Sequence, residues 1–498
     1  MLFNSFAFFL VFLPLSLTGY CVLSKYSIKA SIIFLLVASV CFYGYWSLTY
    51  LPLLIGSIAI NYGLGRWINH CKNSGKVLAA KYALILGLVL NLGALFFFKY
   101  FDFLLLNVGA LMGQAWLPVG IILPIGISFF TFTQIAYLVD CQAGKVSDYK
   151  AENYGLFVTY FPHLIAGPII HHKDMMPQFA NPASHVFSKR RITLGLLIFA
   201  VGLFKKVVLA DGVAAFVGPV FDVHHASLTM AEAWVGVLAY TFQLYFDFSG
   251  YCDMAYGLSY MFGVVLPVNF NSPYKARSII DFWRRWHITL SSFLKDYLYV
   301  PLGGNRSGRT RRYLNLFVTM LLGGLWHGAN WTFIVWGALH GVYLIVNHAL
   351  RHLLGTDFEG RDSRKIRCAL ILVSGTGLTF LSVVLAWVFF RASSMAVAMD
   401  VLKAMSQGTY SLQPGNIAGV NRIMNLQSGA LWVLACASIA FLTPNIYAVL
   451  ERVKLVEIER RLQSHWSGIW LGFSFVIILL LLAITETRGV SEFLYFNF

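Results

Sequence analysis

The chain has 498 residues, 58% hydrophobic and only 12% charged, with a formal net charge of +16. Such a composition excludes a string of ordinary soluble domains, because water cannot be the main solvent of so apolar a chain. The basic excess is not a nucleic-acid footprint either: it falls in clusters at 25–29, 66–81, 145–191, 275–312, 351–367 and 451–461, with apolar stretches between them, which is the positive-inside pattern of a membrane protein.

From the N-terminus onward, runs such as FAFFLVFLPLSL (6–17), YALILGLVLNLGALFFF (82–98), ALWVLACASIAFL (430–442) and IWLGFSFVIILLLLAI (469–484) recur. With their flanks each approaches the roughly 20 residues that cross a bilayer as a helix. They are continuously apolar, whereas barrel strands would alternate. The first run lacks a basic n-region and a small-x-small cleavage site, so it is expected to be a retained span. Spans are predicted over 6–24, 30–48, 49–65, 81–100, 117–139, 192–210, 232–264, 313–331, 332–350, 368–390, 429–449 and 468–485. Placing every basic cluster in the cytoplasm makes these a self-consistent path of about 12 crossings, in a range of about 11–13, with both termini outside. The fold class is therefore an all-α polytopic membrane protein, and without repeats or long linkers residues 1–498 read as a single domain. The seven cysteines are scattered, form no CxxC and lie mostly in apolar segments, where a cysteine serves as a small buried hydrophobe.

Three stretches break this pattern. Residues 154–172 (YGLFVTYFPHLIAGPIIHH) are apolar but have basic residues on both sides, and Pro162, Gly167 and Pro168 interrupt a helix, so a re-entrant or interfacial segment is expected. Residues 232–264 are too long and too polar at their middle, TFQLYFDFSGYCD, for a lipid-facing span. Asp247 and Asp253 should face protein or water, since a carboxylate in lipid costs about 2.5–3.5 kcal/mol. Residues 281–306 place Phe282, Trp283, Trp286, Leu290, Phe293 and Leu294 on one side of a helical wheel and charged residues on the other, as an interfacial amphipathic helix does. Pro301 and the Gly303–Gly304–Asn305 turn should end it. His287 lies at the edge of the apolar arc, where it would point into the protein and still touch water.

The stretch LLGGLWHGANW (321–331) sets His327 among leucines, glycines and tryptophans. Counted from residue 313, 14 residues of helix put it about 21 Å into a core of about 30 Å, near the outer face. Gly324 and Gly328 have the small-xxx-small spacing that admits a neighbouring backbone. An imidazole out of water stays neutral, and it can then deprotonate a hydroxyl attacking a thioester, accept an acyl group itself, or relay protons in a transporter. The residue types leave these alternatives open, together with that of an interhelical hydrogen-bonding histidine that only holds the bundle together. His171–His172 lack HExxH spacing, so no metal site is expected; His340 and His348 read as packed polar residues; and no GxSxG or Walker motif occurs. The NRSGRTRR cluster (305–312) reads first as a topology signal, with the holding of donor phosphates as the alternative.

FYGYW (42–46), LPIGISFFTFTQIAYLVD (123–140), YFPHLIAGPI (160–169), QLYFDFSGYCDMAYGLSYMFG (243–263), NFNSPYKARSIIDFWRRWHITLSSFLKDYLYVPLGGNR (269–306), TMLLGGLWHGANWTFIVWGALHG (319–341) and FLYFNF (493–498) together resemble the membrane-bound O-acyltransferase (MBOAT) family. The likeness is to its bacterial AlgI/DltB branch, and within that branch to the alginate-acetylating members. It spans nearly the whole chain in order. The resemblance implies a helical ring around a central tunnel, with His327 as the catalytic histidine and His287 at the second signature position on the donor side. It also implies an acyl-donor face including Arg284, Lys295, Asn305 and Arg306, acetyl-CoA as donor substrate with no resident cofactor or metal, and residence in the bacterial inner membrane. Partners implied are periplasmic polysaccharide acetyltransferases and membrane lipid, with no nucleic acid. The alternatives are D-alanyl transfer from a carrier protein to teichoic acid, as in DltB-like members, a proton-coupled transporter or polysaccharide export component, or a scaffold of a secretion complex.

Overall fold

In hydrocarbon every backbone amide must find its partner inside its own segment, so apolar runs of this length have to be helices. A computed structural model describes residues 1–146, 150–165, 167–222, 228–353, 365–407, 417–452, 466–489 and 491–494, and among these the regular structure is entirely helical. Among the described residues eight helices are long and apolar enough to cross a membrane: Ala7–Tyr26, Ile28–Trp46, Val77–Leu111, Lys189–Ala214, Trp331–Leu353, Ser374–Arg391, Leu426–Arg452 and Gly468–Thr487. Along them large apolar side chains stand exposed, among them Leu15, Val37, Val89, Leu90, Val476 and Leu480. A soluble protein would not leave such a surface to water. Four further predicted crossings fall on the helices Leu51–Asn73, Ile127–Ala143, Met230–Met261 and Gly308–His327, which are shorter or carry more polar residues. The basic clusters at 351–367 and 451–461 and the 493–498 motif lie largely outside the described residues.

The predicted span 117–139 needs correction at its start. The helix begins at Ile127, behind Gly126 in the left-handed conformation (φ 74°), and residues 114–124 are not helical. Two prolines, Pro118 and Pro124, and Gly120 at φ 78° prevent the helix from starting earlier. The 154–172 segment is likewise no crossing: the nine-residue helix Ala151–Thr159 gives way to turns, and the next helix starts only at His172.

Two compact units share the chain. The first comprises the described parts of Met1–Phe204, Gly250–Val268 and Leu450–Asn497. In it Ala7–Tyr26 packs on Ile28–Trp46, and Leu51–Asn73 on Val77–Leu95 and Ile127–Ala143. His172 Nε2 meets Asp140 Oδ2 at 3.0 Å, so this histidine is held by a carboxylate. The second comprises the described parts of Lys205–Ser249 and Asn269–Val449. Its closest pairing is the hairpin of Gly308–His327 with Trp331–Leu353, against which Lys365–Arg391 also packs. The boundary passes through the 32-residue helix Met230–Met261. As predicted, Asp247 and Asp253 are buried in protein, each 1% exposed. Asp247 accepts a hydrogen bond from Lys206 Nζ at 2.8 Å, and the same ammonium lies 2.9 Å from Asp211 Oδ1.

The amphipathic helix predicted over 281–306 is in fact two short helices, Ile279–Trp283 and Ile288–Leu294, followed by a π-helical turn over Lys295–Tyr299. The break falls at His287, whose backbone is left-handed (φ 43°, ψ 55°). A single wheel through the segment therefore fails, and with it the expectation that His287 touches water: the residue is 0% exposed. The exit is as predicted, through turns at Pro301 and at Gly303 and Gly304, both with positive φ.

Candidate active site

His287 is positioned by a strand-like pairing of loop with loop. Asn271 N donates to Arg285 O (2.9 Å) and Ile288 N to Asn269 O (3.0 Å), so the chain before the first short helix lies along the chain after it. Arg285 Nε closes the turn on Asp281 Oδ1 at 2.8 Å. Asn269 then does the fine placement: its Oδ1 accepts from Thr289 N (3.2 Å) and Thr289 Oγ1 (2.9 Å), and His287 Nδ1 lies 3.2 Å from the same oxygen. An amide oxygen only accepts, so Nδ1 carries the proton and Nε2 the lone pair of the neutral ring. Burial pushes this imidazole well below its ordinary pKa and keeps it neutral. A non-glycine residue held left-handed is uncommon and marks a site where the surroundings dictate the backbone.

His327 is the last residue of the Gly308–His327 helix, 2% exposed. Twenty residues of helix are about 30 Å long, so it stands a full helix length from Gly308. Glycines bring the second arm of the hairpin against it. A Cβ on Gly337 would come within 2.5 Å of Met320 O, and one on Gly324 would collide with Phe333 O. The close approach predicted from small-residue spacing is thus present at Gly324. After Gly328 the turn is tied down by Asn330, which donates to Ser393 O at 2.9 Å. Three aromatic rings then box the imidazole edge-on, with centroids of Trp326 at 4.9 Å, Phe390 at 5.0 Å and Trp336 at 5.1 Å.

Trp326 also borders His287, ring to ring at 6.3 Å, and Phe248 packs on that histidine at 4.9 Å. The structure therefore brings both predicted histidines to one indole. It does not bring Arg284, Lys295, Asn305 or Arg306 there; all four are exposed. Other basic residues nearby are tied within the fold, Lys275 to Thr443 O at 2.6 Å and Arg312 to His348 Nδ1 at 2.9 Å. Asn315 Nδ2 donates to Gly304 O at 3.0 Å and so fixes the turn that presents Asn305 and Arg306.

His340, expected to be a packed polar residue, lies fully buried in the same aromatic cluster, 4.8 Å from Trp336. Residues not singled out by motif include Asn269, Trp326, Trp336 and Phe390. Trp326 had a signal, since it precedes His327 directly; Asn269, 18 residues from His287, had none that periodicity or spacing would register. The arrangement suits acyl transfer chemically: two buried imidazoles border one indole, and a neutral imidazole can take a proton from a hydroxyl.

Comparison with known proteins gives a consistent result. The model of the MBOAT, membrane-bound O-acyltransferase family matches residues 127–381, about half of the chain and inclusive of both histidines. The chain is 46% identical to a peptidoglycan O-acetyltransferase of Helicobacter pylori over 81% of its length and 80% of the relative's. It is 42% identical to a probable alginate O-acetylase AlgI of Pseudomonas aeruginosa over 89% of its length and 81% of the relative's. A teichoic acid D-alanyltransferase of Streptococcus thermophilus is 26% identical over 45% of this chain and 57% of its own.

Proposed function

The chain belongs to the membrane-bound O-acyltransferase family, and from that premise we propose that it moves an acetyl group from cytoplasmic acetyl-CoA through the bacterial inner membrane for O-acetylation of an envelope polysaccharide. In this reading His327 is the catalytic group and His287 stands on the donor side. The charged phosphates of the donor stay at the exposed face carrying Arg284, Lys295, Asn305 and Arg306, and only the thioester end enters the protein. Periplasmic acetyltransferases then receive the acetyl group and place it on the polymer.

One observation carries the proposal: His327 and His287, 40 positions apart, are both buried and border the same Trp326 ring. Neither a topology signal nor simple helix packing calls for two desolvated imidazoles at one indole. Acetyl transfer is favoured over D-alanyl transfer by the relatives, since those at 46% and 42% identity are named for O-acetylation whereas the D-alanyltransferase is 26% identical over less than half of the chain.

The test is turnover of acetyl-CoA by the protein in detergent or proteoliposomes. Wild type should release CoA in step with acetyl transfer, and His327→Ala should lose at least about 100-fold, the contribution expected of a positioned acid–base group. A transporter would show gradient-dependent flux with no thioester turnover, and a His327→Ala protein that still supported full polymer acetylation would point to a scaffold. NMR of the exopolysaccharide and of the peptidoglycan from a deletion strain identifies the acceptor by which acetyl ester disappears.

A further inference from the structure

The helix Trp331–Leu353 carries a row of buried polar residues, two of which have rings in the cluster that contains His327. Thr332, Trp336 and His340 follow at i, i+4 and i+8, one face of a helix, and each is at most 1% exposed. Thr332 Oγ1, Trp336 Nε1 and His340 Nε2 meet no hydrogen-bond partner among the described residues. Buried polar groups in folded proteins are nearly always paired, and an unpaired one costs about 1–3 kcal/mol. Three in a row on one helix face, two of them on rings next to or near His327, call for a reason.

The protonation of His340 follows from its neighbour. Trp283 Nε1 donates to His340 Nδ1 at 3.3 Å. An indole N–H can only donate, so Nδ1 is an acceptor; the ring is not an imidazolium, and its one proton is on Nε2. Both unmatched ring nitrogens are therefore N–H donors. The Trp336 ring lies 5.1 Å from that of His327 and 4.8 Å from that of His340. Phe282, stacked on His340 at 6.1 Å, and Trp387, stacked on Trp336 at 5.6 Å, hold the two rings in place and supply no acceptor.

We propose that Trp336 Nε1–H and His340 Nε2–H are the donors that hold the acyl carbonyl oxygen next to His327. The inference rests on the acyl-transfer reading above and assigns to these residues the charge that develops on oxygen. As the acceptor hydroxyl oxygen bonds to the thioester carbon, the carbonyl π pair moves onto oxygen and His327 takes the hydroxyl proton. Collapse re-forms the carbonyl and breaks the carbon–sulfur bond, and the thiolate takes the proton from His327 to leave as CoA thiol. Donors fixed in a dry site stabilise the intermediate oxyanion, and losing one such donor in an enzyme costs about 10²–10³ in rate.

The experiment uses the full-length protein in detergent with acetyl-CoA and two unreactive analogues. One is the ketone in which methylene replaces the thioester sulfur; the other is S-ethyl-CoA, which lacks the carbonyl oxygen. Wild type should bind the ketone roughly tenfold or more tighter, as one or two hydrogen bonds imply. Trp336→Phe and His340→Phe should each erase most of that preference, leave S-ethyl-CoA binding unchanged, and lower kcat by about 10²-fold with little change in KM. His340→Gln, which keeps a donor and an acceptor, should recover part of the loss. Equal binding of the two analogues by wild type overturns the inference, whatever the variants do. So does a Trp336→Phe protein that keeps both the preference and kcat. Wild type that cannot use acetyl-CoA at all overturns the donor reading and this inference together, whereas turnover by wild type without the carbonyl preference overturns this inference alone.

Discussion

Asn269 is the residue on which the His287 geometry turns. One amide oxygen takes hydrogen bonds from a backbone N–H, a hydroxyl and an imidazole, all buried. Asn269→Leu removes the acceptor that three donors share and should destabilise the protein by about 2 kcal/mol or more, with loss of activity, whereas Asn269→Asp keeps an acceptor at the cost of burying a carboxylate and should lose less. Thermal unfolding in detergent together with acetyl-CoA turnover separates the two. At this scale the sequence pointed to two imidazoles that the structure buries against one indole, since a histidine inside an apolar stretch is conspicuous. It did not reveal how they are held. His287 looked half-exposed only because a continuous helix was assumed through it, and a left-handed residue leaves no trace in a hydrophobic pattern. The aromatic box around His327 draws Phe390 from another helix, and no local window contains both.

Between elements, contact is set by glycines and by one buried charge cluster. Gly337 faces Met320 O so closely that any Cβ must push the hairpin apart. Gly337→Val should therefore cost about 1–3 kcal/mol of stability and displace His327 from its box, seen as lost turnover at temperatures where the protein is still folded. Lys206, on a π-helical turn, is 2% exposed and paired with Asp247 and Asp211. Removing a single member of a buried ion cluster is worse than removing two. Lys206→Met should destabilise by about 3–5 kcal/mol, and adding Asp247→Leu should restore much of it. Denaturation of the two variants in one detergent is the comparison that decides. Element existence was legible wherever a run was long and apolar. The start of the Ile127–Ala143 helix and the break inside 281–306 were not, because prolines, positive-φ glycines and a left-handed histidine override hydrophobic continuity.

For the whole molecule, the +16 charge and its clustering fix which end of the second unit's hairpin should meet the cytoplasm. Asn305 lies in the exposed turn just before the Gly308–His327 helix, among Arg306, Arg309 and Arg311. Ser393 is exposed beside the opposite end of that helix, its carbonyl held by Asn330. Between the two runs a helix of 20 residues, about 30 Å, which is the thickness of the hydrocarbon core. If the basic turn faces the cytoplasm, as the positive-inside rule requires, Ser393 and the His327 end of the helix lie toward the opposite face, where on the proposed reading an acceptor collects the acetyl group. In a cysteine-free background, Asn305→Cys should react with a membrane-impermeant maleimide only in inverted vesicles, and Ser393→Cys only in right-side-out ones. Reversed labelling would place His327 near the donor's own compartment, so that transfer to an outside polymer could not end there. Labelling of both positions from one side would mean that the helix does not cross, and a donor held at the basic turn would then have no protein path to the far face of the membrane.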